Sequence, residues 1–139
     1  MKKFSFNLQK VMQLRKFREE ECKLALGQAI SALNEVENKI KETALKHHSA
    51  SCARFTDTAQ IAVWDIYISR LELEAQNLTE QAAQAELVVE EKRAEYLEAS
   101  KDLKAIEKLK EKREKEYRKE VSDYEMSEVD DLTSARRWQ

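Results

Sequence analysis

Few side chains in this 139-residue chain could do chemistry unaided, and most of them stand together: His47, His48 and Cys52, with a second thiol at Cys22. Imidazole nitrogens and thiolate sulfurs are the usual ligands of zinc. The spacing argues against that use. Neighbouring residues on a helix diverge by about 100°, so His47 and His48 point to different sides and cannot close on one ion. No CxxC pair, glycine-rich phosphate loop or G-x-S-x-G turn accompanies them. The expectation is a protein that is not an enzyme, with no metal and no cofactor, whose two cysteines are free reduced thiols.

The remaining chemistry is charge. Met1 to Arg18 carries Lys2, Lys3, Lys10, Arg15, Lys16 and Arg18 without an acid, and Lys104 to Lys119 carries eight bases against four acids. Between Asp57 and Glu91 eight acids face Arg70 alone. Segregated charge of this kind selects different partners for different parts of a molecule. Nucleic acid is not the expected one: the net charge is −2, and Glu107, Glu111, Glu114 and Glu116 dilute the second basic stretch at salt-bridge spacing. A protein partner suits the pattern better.

These charges must be positioned by helices. The chain has no proline and one glycine, so the strongest helix breakers are almost absent. A mostly apolar seam advances in alternating steps of three and four: Leu8, Met12, Arg15, Glu19, Cys22, Leu26, Ala29, Leu33, Val36, Ile40, Thr43 and His47, then Ile61, Trp64, Ile68, Leu71, Ala75, Leu78, Ala82, Ala85, Val89, Lys92, Tyr96, Ala99, Leu103, Ile106, Lys110, Arg113, Tyr117, Glu120 and Tyr124. That heptad period belongs to helices wound on a partner helix. The fold expected is all-α, a long antiparallel two-helix coiled coil or helical hairpin. It forms one elongated domain over 1–139, with helix 1 about 7–49, a turn about 50–56, helix 2 about 57–125 and a tail at 126–139. Asn7 would cap helix 1, with Phe6 and Val11 as a hydrophobic staple, and Asp57 with Gln60 would form a capping box for helix 2. Helix 2 outruns helix 1 by roughly twenty residues, which leaves a C-terminal overhang. No apolar run reaches signal-peptide or membrane-span length, so a cytoplasmic protein without direct membrane insertion is expected.

The N-terminal run Phe4-Ser5-Phe6-Asn7-Leu8-Gln9-Lys10-Val11-Met12-Gln13-Leu14-Arg15, followed by Glu19-Glu20-Glu21, resembles the opening of the flagellar export protein FliJ family, approximately F-x-F-x-L-x-x-V-L-x-L-R with acids after it. The resemblance implies a helical hairpin in the flagellar type III export apparatus, peripheral to the inner face of the cell membrane at the flagellar base. It implies three partners: the hexameric export ATPase, the cytoplasmic domain of the membrane export gate, and export chaperones. The hairpin's open end would enter the ATPase ring, which assigns Lys10, Arg15, Lys16, Arg18, Arg113 and Arg118 to ATPase binding. An exposed stripe on helix 2 would meet the gate, which assigns Tyr67, Leu71 and Leu78. The alternative is a generic cytoplasmic coiled-coil adaptor or holdase-like chaperone, and stimulation of the ATPase separates the two.

Overall fold

The computed structural model describes residues 3–137. It is an all-α helical hairpin: α1 spans Gln9–Thr56, a single 3-10 turn spans Thr58–Gln60, and α2 spans Ile61–Arg137. The described residues contain no strand. By its contacts the chain divides into two compact units. One joins Met1–Glu20 to Glu98–Gln139, and the other is Glu21–Leu97.

Within Glu21–Leu97 the two helices run antiparallel. Arg54 Nε donates to Asp65 Oδ1 at 2.6 Å, and one heptad earlier on α1 His47 Nε2 lies 3.2 Å from Glu72 Oε1, one heptad later on α2. Along this stretch the apolar seam is closed: Leu71, Leu78 and Val89 are buried on α2, and Thr43 and Ala50 are buried on α1. Thr43 hides its hydroxyl by donating to the Lys39 carbonyl one turn back, at 2.9 Å. Lys92, a charged residue at a seam position, pairs with Glu95 on its own helix at 3.5 Å.

The turn lies later than the sequence suggests. The expected break at 50–56 is instead the last part of α1, because Ala50 continues the seam and is only 2 % exposed. A small buried residue marks a close approach of the helices, but its short side chain reads as a lapse in the apolar pattern. Nothing from Ser49 to Phe55 breaks a helix, so α1 ends only when the Asp57 N–H bonds the Ala53 carbonyl at 2.8 Å. The Asp57 carbonyl then accepts from the Gln60 N–H at 3.4 Å. Asp57 does not cap with its side chain. Its carboxylate instead accepts from the Trp64 indole N–H at 3.5 Å, and α2 begins at Ile61 rather than at 57.

In the unit that joins Met1–Glu20 to Glu98–Gln139, the seam residues Ala99 and Ile106 are buried and Phe6 is buried with them. Asn7 does not cap α1. Its side-chain oxygen accepts from Arg113 Nη1, and the helix is entered through a turn in which the Gln9 N–H bonds the Phe6 carbonyl at 3.1 Å. Val11, the other half of the expected staple, is exposed. The tail expected at 126–139 is helical as far as Arg137, and Trp138 and Gln139 lie outside the described residues. With no proline or glycine after Gly27, nothing in the sequence ends α2 earlier. Every described residue beyond Val121 is exposed, including Tyr124, which the heptad count had placed on the seam. The neighbouring Glu128 carboxylate accepts the Tyr124 hydroxyl's hydrogen bond and, through that bond and its charge, raises the phenol's pKa above the usual value.

A carboxylate placed on the closed seam loses its water without gaining a partner. Leu71→Asp and Ile106→Asp, each 3 % exposed in the wild type, are expected to cost roughly 3–5 kcal/mol. Thermal unfolding followed by circular dichroism should show a large fall in midpoint for both, and an unchanged midpoint for either would mean that its side of the seam is wrongly assigned. Gly27 is helical, and a Cβ added there meets nothing within 4 Å. Gly27→Ala should therefore stabilise the helix by ~1 kcal/mol and raise the midpoint by about 3 °C.

Candidate docking surfaces

The six bases read from the sequence as one binding set do different things. In the unit that joins the chain start to Glu98 and beyond, Arg15 is half-buried, and its Nη1 donates to the Asp102 main-chain carbonyl at 3.0 Å. Arg113 lies over the Phe6 ring, 5.7 Å from its centroid, while it donates to Asn7. Beside it the Phe4 and Tyr117 rings meet at 5.4 Å and 44°. An arginine stacked on an aromatic face and bonded to a neutral oxygen closes the packing at the start of α1. Arg15 and Arg113 are thus largely spent inside the molecule.

Arg18 is exposed, with its Nη1 4.0 Å from Asp102 Oδ2. An exposed pair at that distance contributes roughly 0–1 kcal/mol and leaves the guanidinium available. Lys10, Lys16 and Arg118 are exposed outright. Of the sequence-derived set, these three together with Arg18 present positive charge to solvent.

The unit Glu21–Leu97 corrects the second set. Leu71 is 3 % exposed and Leu78 is 7 %, so both belong to the seam and neither can form a stripe on the surface. The physical reason is the heptad itself: their positions are core positions, and a side chain that closes the hairpin is not displayed. Tyr67 alone of the three is exposed, at 37 %, with its ring edge-on to Trp64 at 6.2 Å and 72°.

Tyr67 also lines a groove of about 710 Å³ with Leu45, Ser49 and Ala53 from α1 and Val63 and Trp64 from α2. Leu45 and Val63 are exposed apolar residues. The groove exists because α1 runs on to Thr56, which sets Ser49 and Ala53, both small, opposite the Trp64 and Tyr67 rings. Trp64 is held in place by its bond to Asp57. Leu45 and Val63 escape a search along the seam because they stand off it. Their signal in the sequence is an apolar residue out of heptad register.

The histidine and cysteine cluster divides as its spacing requires. His47 turns to Glu72, whereas His48 Nε2 lies 3.8 Å from Cys52 Sγ on the exposed side of α1. Cys22 and Cys52 are free thiols. Among the described residues no three histidine, cysteine or carboxylate side chains are grouped as a metal site. No described helix is long and apolar enough to cross a membrane.

The family model described as flagellar FliJ protein matches residues 4–139. No curated protein and no solved structure matches the chain. With the hairpin, the aromatic start of α1 and a family match over nearly its whole length, the chain belongs to the FliJ family and is a component of flagellar protein export.

Proposed function

We propose that this protein is a non-catalytic, cytoplasmic part of the flagellar export apparatus, peripheral to the membrane, that binds the export ATPase ring, promotes its assembly and activity, and couples it to the cytoplasmic domain of the export gate. The observation that carries this reading is the division of the basic residues. Arg15 and Arg113 hold the start of α1 against α2, and Lys10, Lys16, Arg18 and Arg118 are left outside, free to meet a negatively charged partner. Exposed charges of this kind steer association and give it a strong dependence on salt.

The gate contact is assigned to the groove rather than to a stripe along α2. Tyr67 keeps its part, and Leu45 and Val63 take the places of Leu71 and Leu78. An apolar cleft with two aromatic rings in its wall suits an apolar segment of a partner better than a flat helix face does. The escort of export chaperones is retained as part of the proposal from the family alone, with no residue assigned to it.

Reversing Lys10, Lys16 and Arg118 to glutamate should remove stimulation of ATP hydrolysis by the purified export ATPase while circular dichroism stays unchanged. Retained stimulation would leave the adaptor or holdase reading in its place. Leu45→Ala with Tyr67→Ala should instead weaken capture of the gate's cytoplasmic domain about tenfold or more, as loss of two buried anchors does. ATPase stimulation should survive in that variant. Equal loss of both activities from either set would show that the two surfaces are not separate.

A further inference from the structure

Two helical faces in the unit that joins the chain start to Glu98 and beyond are uncovered, and they match. On α1, Lys10, Leu14 and Phe17 follow one another at i, i+4 and i+7 and are exposed, Leu14 at 68 %. On the overhang of α2, Glu125, Val129 and Leu132 follow at the same spacing and are also exposed, Leu132 at 67 %. Each set forms one face of its helix, a charged residue leading two apolar ones. The charges are opposite. From Lys3 to Arg18 there are five bases and no acid, and from Glu120 to Ala135 there are six acids and no base.

The two faces cannot meet within one molecule. Phe4 already lies against Tyr117, so the overhang continues past the start of its own α1 and away from it. Residues 118–137 extend about 30 Å beyond that level. A helix leaving one molecule there enters a second molecule at the start of α1, and runs in the same direction as that helix. Parallel alignment keeps equal spacings in step. Glu125 then stands beside Lys10, Val129 beside Leu14 and Leu132 beside Phe17.

The geometry points to a second copy of this chain as the partner of the overhang. Each molecule lays its acidic α2 end on the basic α1 start of the other, so that the same contact is made twice about a two-fold axis. The contact covers Lys10, which the proposed ATPase surface also uses, so self-association and ATPase binding would compete. The inference does not rest on that reading, because its test contains no ATPase.

Sedimentation velocity of the full chain at low salt, where charges act over about 30 Å, should show a species of twice the 16.3 kDa chain mass. Glu125→Lys and Lys10→Glu should each weaken the dimer about tenfold or more, since each reversal sets like charges together at both copies of the contact. The double variant, with the charges exchanged, should restore it, and Leu132→Asp should leave monomer. All three residues touched are exposed, so unfolding midpoints should hold. A monomer at every concentration would overturn the inference and leave these faces to other proteins. A single reversal without effect, or a double variant that fails to recover, would overturn the pairing equally.

Discussion

The alternation of three and four residues between apolar positions on α2 is the constraint from which the other features follow. A narrow stripe is all that two helices can bury between them, so each side chain is either on the stripe or in solvent. Leu71, Leu78, Val89, Ala99 and Ile106 are on it. Everything off it is displayed, which is why charged residues can be sorted onto different faces without disturbing the packing, and why an apolar residue off the seam, such as Leu45 or Val63, is exposed. The same constraint limits stability. A hairpin of this kind has no thick core to absorb an error, and one carboxylate on the seam threatens the whole contact.

Polar residues at the margins of the seam complete what the apolar ones begin. Arg15 reaches a main-chain carbonyl across the hairpin, and Arg113 covers Phe6 while it binds Asn7. The guanidinium suits this work because it is flat, offers several donors in one plane, and is weakly hydrated on its faces. Lysine has none of these properties, and Lys10 and Lys16 stand outside. Arg18 and Arg118 stand outside as well, so it is the packing of Arg15 and Arg113 that reduces a broad basic region to the few groups that a partner can reach.

Much of the fold was legible in the sequence because the heptad is a direct record of burial. Every apolar seam residue named between Leu8 and Tyr117 is at least partly protected, as are Thr43 and Lys92 among the polar ones. The ends of the elements were not legible. Ala50 is too small to register as apolar, so the helix expected to end at 49 stops about seven residues short of α1, and Asp57 has the chemistry of a cap but binds Trp64 instead. Beyond Val121 the helix continues on propensity without packing, which a search for burial cannot detect. Docking residues were the least legible part. Leu71 and Leu78 have the right spacing for a stripe because they have the right spacing for a core, and only the presence of α1 opposite them decides between the two. The family was read from some fifteen residues at the start of the chain, where Phe4 and Phe6 serve the packing of that very region.

Equilibrium binding of the wild-type chain to the purified flagellar export ATPase, measured over a range of salt, tests the central claim most directly. Binding through exposed lysines and arginines predicts a complex at low salt whose affinity falls about tenfold or more as salt rises through the physiological range, because the contacts are screened within a Debye length of ~10 Å. No complex at low salt, or an affinity that salt leaves unchanged, would contradict the account.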